Sequence, residues 1–150
     1  MKVTQLDHLN LTVRDLREAL RWYRRVFGFE IVESGEREGG PWAIVQSGDA
    51  ILCLVEVPGK EAPPLWPEVG AEHRVNHYGL RIDDRERWEE TLRSERVQVD
   101  YGGPIRWPNS ISWYIRDPSG VPIEVALWDV GAPTFPADSD VSWSQSAEEA

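Results

Sequence analysis

Long apolar runs, cysteines and basic clusters are all scarce in this chain of 150 residues. No stretch approaches the ~20 consecutive apolar residues that a membrane-spanning helix needs, so no membrane partner is expected. The opening MKVTQLDHLN lacks the apolar core of a secretory signal, which points to a cytoplasmic protein. The single cysteine, Cys53, excludes an internal disulfide and fits a reducing compartment. Lys and Arg number 16 against 26 Asp and Glu, for a net charge of −10. Residues 129–150 hold acids at Asp129, Asp138, Asp140, Glu148 and Glu149 and no Lys or Arg, so the remainder carries about −5. No basic stripe offers a grip on phosphates, and nucleic acid is excluded as a partner on that ground.

What is present is ordinary in amount and unusual in kind. A hydrophobic share of 41% with 28% charged residues fits a globular chain of one domain, or two small modules sharing a core. Eight tryptophans are many for this length; they suit a large core or an aromatic-lined pocket.

The stretch LDHLNLTVRD (6–15) alternates as a half-buried strand does, with Leu9, Leu11 and Val13 on one face and His8, Asn10 and Thr12 on the other. A helix follows, capped by Asp15 with Glu18 three residues on, striped by Leu16, Ala19, Leu20, Tyr23 and Phe27, and ended at Gly28. Three strands are expected near Phe29–Glu33, Trp42–Gln46 and Ala50–Val57. Residues 58–74, with Pro58, Pro63, Pro64 and Pro67, read as a connector in which His73 is a surface residue.

The pattern then restarts. VNHYGLRIDD (75–84) matches LDHLNLTVRD at an offset of 69, which pairs His77 with His8, Leu80 with Leu11 and Asp84 with Asp15. A helix over Arg85–Glu95 and strands near Val97–Tyr101, Ile111–Arg116 and Val121–Trp128 complete a second unit. The fold expected is therefore α+β: two βαβββ modules, residues 1–57 and 75–128, related by a pseudo-twofold and forming an open curved mixed sheet. Residues 129–150 read as an acidic, flexible tail.

One residue breaks the apolar pattern of the closing strand. Glu124 sits within PIEVALW (122–128), and an ionised carboxylate there needs a compensating partner. If the twofold brings the first strands together, His8, His77 and Glu124 converge. Two imidazoles and a carboxylate with open positions make a divalent-metal site suited to Fe(II) or Mn(II), with Zn(II) or Ni(II) as alternatives. The competing reading pairs Glu124 with an arginine such as Arg81. An offset of 71 in the closing strands puts Glu124 on Cys53, which reads either as a small buried hydrophobe or as a fourth ligand.

LDHLNLTVRDLREALRWYRRVFGFEIV, VNHYGLRIDD and YIRDPSGVPIEV together resemble the vicinal oxygen chelate superfamily, the group of glyoxalase I, extradiol dioxygenases, epimerases, fosfomycin-modifying enzymes and bleomycin-binding proteins. The resemblance covers about residues 4–130 and implies paired modules around a metal, commonly in a homodimer, with a small-molecule substrate. It places the metal ligands on His8, His77 and Glu124, and the position that is a carboxylate in glyoxalase I on Cys53. The extradiol signature is matched at Tyr114, Asp117, Pro118, Gly120 and Glu124, whereas its acid–base histidine falls on Trp107 and the aliphatic residue before its tyrosine is Trp113.

These residues imply a metal-dependent enzyme acting on an oxygen-chelating small molecule, with a slight preference for extradiol-like ring cleavage. Tyr114 is the expected catalytic hydrogen-bond donor, or else a core aromatic. Asn10, Trp107 and Trp113 are the expected pocket residues. The alternatives are a glyoxalase-, epimerase- or fosfomycin-enzyme-like isomerase or transferase, a metal-free binder of a cationic aromatic compound, and a scaffold serving dimeric interaction alone.

Overall fold

The computed structural model describes residues 5–57 and 75–134. The first module runs β1 (Leu9–Val13), α1 (Leu16–Phe27), β2 (Glu30–Arg37), β3 (Gly40–Ser47) and β4 (Ala50–Glu56). The second runs β5 (Tyr78–Ile82), α2 (Arg85–Ser94), a 3₁₀ turn (Asp100–Gly102), β6 (Ile105–Trp107), β7 (Ser110–Arg116) and β8 (Pro122–Trp128). Both sheets have the same order, β1-β4-β3-β2 and β5-β8-β7-β6. In each, the first strand lies parallel to the last and the other pairs are antiparallel. The α+β fold of two βαβββ modules is thus present as two four-stranded mixed sheets. The 58–74 connector, His73 and the tail beyond Thr134 lie outside the described residues.

The repeat is chemical as well as topological. Asp15 and Asp84 are equivalent N-caps: each carboxylate accepts a hydrogen bond from the backbone N–H three residues on, Glu18 at 2.8 Å and Arg87 at 2.9 Å. Gly28 closes α1 at φ +68°, a left-handed conformation that side chains with a Cβ resist.

A single core joins the modules. Leu16, Ala19, Tyr23 and Val26 form the buried stripe of α1. Beyond them the Phe27 ring stacks on Trp88 at 5.4 Å, and Trp88 meets Trp113 edge-on at 6.4 Å. At the centre the Tyr23 hydroxyl donates to Asp117 Oδ2 at 3.1 Å and lies 2.8 Å from the Tyr78 hydroxyl. Asp117 Oδ1 in turn accepts from the N–H groups of Ser119 and Val121, which fixes the Asp-Pro-Ser-Gly turn. Arg25 and Glu95 close the edge of this contact at 2.7 Å. Burying one face of each sheet leaves the other outward: His8 beside β1 with Asn10 and Thr12 on it, and His77 beside β5 with Gly79 and Arg81 on it, are all exposed.

One element departs from expectation. The strand near Val97–Tyr101 does not form, because Tyr101 (φ +59°), Gly102 (+76°) and Gly103 (+144°) turn the chain out of the extended region. Its place in the sheet is taken by β6, a strand of three residues beginning after Pro104. Among the described residues no helix is long and apolar enough to cross a membrane.

Candidate metal centre

Glu124 faces outward from β8, between its register partners Gly79 on β5 and Tyr114 on β7. Its partner is His77 rather than Arg81: His77 Nε2 lies 3.0 Å from Glu124 Oε2, with side chains 35% and 23% exposed. The other ring nitrogen, His77 Nδ1, sits 2.8 Å from Asn76 Oδ1, an acceptor that is satisfied by the tautomer with its proton on Nδ1. In that tautomer Nε2 presents a lone pair toward the carboxylate, which a cation between them would satisfy; with a proton on Nε2 the contact is a hydrogen bond. Two bonds of ~2.1 Å at right angles to one ion would hold their donor atoms about 3.0 Å apart, a spacing that equals the one found and also that of a direct hydrogen bond. Gly79 leaves the adjacent space open: a Cβ there would meet nothing nearer than the Glu124 carbonyl oxygen at 4.0 Å. The donor set and its spacing fit a divalent ion.

His8 repeats this design. Its Nδ1 donates to Asp7 Oδ2 at 2.7 Å, at the position equivalent to Asn76, and Nε2 is left for ligation. Both histidines border one open cleft of about 1070 Å³. Within one chain, however, His8 does not join the His77–Glu124 pair; among the described residues no three His, Cys, Asp or Glu groups gather closely enough to hold an ion.

Tyr114 stands beside the pair. Its ring meets His77 edge-on at 5.7 Å and Tyr101 edge-on at 5.4 Å. Burial first, and then the charge of Glu124, push its phenol above the ordinary value of 10.0, so it remains a neutral donor at physiological pH. Two cavities flank it. One, about 280 Å³, is bordered by Trp107, Asn109, Tyr114, Glu124 and Trp128; the other, about 310 Å³, by His77, Asp100, Tyr101, Trp107 and Tyr114.

Of the expected pocket residues, Trp107 lines both cavities. Trp113 does not. It is 2% exposed, packed against Trp88 with Arg85 over its ring at 6.0 Å, because neighbours on a strand point to opposite faces and Tyr114 takes the outward one. Asn10 and Cys53 sit opposite each other on β1 and β4 of the first sheet, outside both cavities. Tyr101, Asn76 and Asp7 were not singled out from sequence. The polar residue preceding each repeated histidine was the available signal for two of them, and Gly102-Gly103-Pro104 for the third.

The chain matches the Glyoxalase/Bleomycin resistance protein/Dioxygenase superfamily over residues 5–125. The metallothiol transferase FosB of Staphylococcus epidermidis is 24% identical over 127 residues, covering 83% of this chain and 82% of FosB. A glyoxylase/bleomycin resistance protein/dioxygenase domain from Frankia sp. EAN1pec superposes with a TM-score of 0.73 at 21% identity, covering 87% of this chain and 96% of that one. A point mutant of the fosfomycin resistance protein FosX from Listeria monocytogenes, solved with Mn(II) and 1S,2S-dihydroxypropylphosphonic acid, superposes with a TM-score of 0.61 at 17% identity, covering 85% of this chain and 91% of that one.

Proposed function

Because the chain belongs to the Glyoxalase/Bleomycin resistance protein/Dioxygenase superfamily, we propose that it is a divalent-metal-dependent enzyme acting on a small molecule that binds through oxygen. The observation that carries this reading is the His77 Nε2 to Glu124 Oε2 spacing of 3.0 Å, with Nδ1 of each repeated histidine held by the residue before it. His77 and Glu124 supply two ligands. His8 of a second copy supplies the third, since His8 stays apart from the pair within one chain. The site is then completed in a homodimer.

A divalent ion bound there supplies Lewis acidity that stabilises a substrate oxyanion. The chain's own groups do the rest. Asn76 and Asp7 hold the imidazoles in the tautomer that leaves Nε2 free. Tyr114, kept protonated, donates to the substrate oxygen whose charge grows during reaction. Tyr101 and Trp107 wall the site against water. Among the superfamily's reactions we favour the extradiol-dioxygenase-like one, with Fe(II) or Mn(II), because three ligands leave positions open and Tyr114 stands directly opposite Glu124. Thiol transfer of the kind named for FosB is the second reading, on the strength of the 24% identity.

The test uses calorimetric titration with Mn(II). Glu124→Gln and His8→Ala should each lose tight binding, and mixing the two variants should restore it to at most one site per dimer, built from His8 of one copy with His77 and Glu124 of the other. Loss in both variants without recovery on mixing would place all three ligands in one chain. Unchanged binding in Glu124→Gln would refute the centre. Oxygen uptake with Fe(II) and catechol, set against thiol consumption with Mn(II), distinguishes the two reactions.

A further inference from the structure

Among the described residues, two other than glycine have a positive φ: Arg96 at +54° and Tyr101 at +59°. Arg96 follows Glu95, the C-cap of α2, where a left-handed residue is a usual helix terminator. Tyr101 ends no such helix. Its side chain is 66% exposed, so core burial does not offset the strain of its left-handed backbone. The conformation brings the ring edge-on to Tyr114 at 5.4 Å, on the wall of the cavity of about 310 Å³ that His77 and Trp107 also border. A strained residue at the mouth of a site, with no return in packing, points to a use in binding.

The segment around it is built to pivot. On one side Asp100 is held: its Oδ2 lies 3.3 Å from Arg116 Nε, and its carbonyl accepts from the Gly103 N–H at 3.4 Å. On the other, Pro104 leads into β6, which is paired with β7. Between these anchors lie Tyr101, Gly102 at φ +76°, and Gly103 at φ +144° and ψ −171°, a conformation essentially reserved for glycine. A Cβ at either glycine would meet no atom within 4 Å. Crowding therefore does not require glycine at these positions; the backbone does. Two successive glycines absorb changes of φ and ψ, and an anchor on each side turns that freedom into the swing of one ring.

We infer that the Asp100–Gly103 turn is a flap whose Tyr101 ring closes over a molecule bound beside His77 and Tyr114, so that Tyr101 sets how long the molecule stays. The choice of ligand for the test rests on the metal-centre reading; the turn itself involves no ion.

Stopped-flow absorbance of 4-nitrocatechol binding to the Mn(II)-loaded full chain tests it. Tyr101→Asn removes the ring and keeps a residue that accepts the left-handed backbone. Its melting temperature should stay within about 2 °C of the parent, while the release rate rises about tenfold and the association rate and Mn(II) affinity hardly change. Gly103→Ala retains every side chain of the site and should speed release to a similar degree, because alanine does not hold that backbone. The double variant should release no faster than either single one, as expected of a hinge that acts through one ring. Unchanged release in Tyr101→Asn, or effects that multiply in the double variant, would overturn the inference, as would a parent that takes up Mn(II) but binds no nitrocatechol. Nitrocatechol held through Tyr101 by a protein that takes up no Mn(II) would leave the flap standing and remove the metal centre.

Discussion

In the proposed centre, Tyr114 is the side chain that would act on the substrate without holding the metal. Its hydroxyl is neutral, its ring is fixed by His77 and Tyr101, and Glu124 lies across the strand pair. Removing a hydrogen-bond donor used in the transition state commonly costs ~10²-fold in turnover. Tyr114→Phe keeps the ring contacts, so steady-state kinetics should show kcat reduced by about that factor while KM and Mn(II) affinity hardly move. At this scale the sequence was informative where chemistry repeats. His8 and His77 stand out because they recur at a fixed offset, and Glu124 because a carboxylate in an apolar strand demands a partner. The sequence was uninformative about which neighbour serves the site. Trp113 and Trp107 look alike in composition, and only the strand's facing, set by burial of the core, sends one inward to Trp88 and leaves the other on the cavity wall.

Elements decide the centre's shape through what they omit. β5 passes Glu124 with a glycine, and Gly79 lies in ordinary extended backbone that a branched side chain adopts without strain. Gly79→Val should therefore fold with unchanged or slightly higher thermal stability. Its methyl groups would rise on the exposed face beside the carboxylate, and calorimetry should show Mn(II) affinity down at least tenfold. Helix ends were legible because Asp15, Gly28 and Asp84 have one physical use each at a terminus. The edge of the second sheet was not. Val97, Val99 and Tyr101 have strand-like composition, yet three consecutive left-handed residues outweigh that preference and delay the strand to Ile105. The same turn delivers Tyr101 to the site, so the misread element and the unrecognised residue have one cause.

Across the whole molecule, the two modules meet at a buried carboxylate. Burial raises the pKa of Asp117 above its ordinary 3.8, outweighing the hydrogen bonds from the Val121 N–H, the Tyr23 hydroxyl and the Ser119 N–H that lower it. The folded state then keeps a proton to higher pH than the unfolded chain does. Stability should fall as pH rises from about 3.8 through the folded value, and the loss is complete above it. Asp117→Asn can accept the same two backbone hydrogens at its oxygen and donate its amide to Tyr23, whose hydroxyl turns toward Tyr78. Urea melts across this range should show a smaller decline in the variant than in the parent protein, the difference between the two profiles being the Asp117 contribution. The helix α1 that carries Tyr23 belongs to one module, and the turn that carries Asp117 belongs to the other. Neither half can therefore depart without breaking the phenol–carboxylate hydrogen bond and opening the core that both share. For a duplicated chain this has a kinetic meaning: the halves are expected to unfold as one cooperative unit, and exchange between copies of a dimer to move whole chains rather than loose modules.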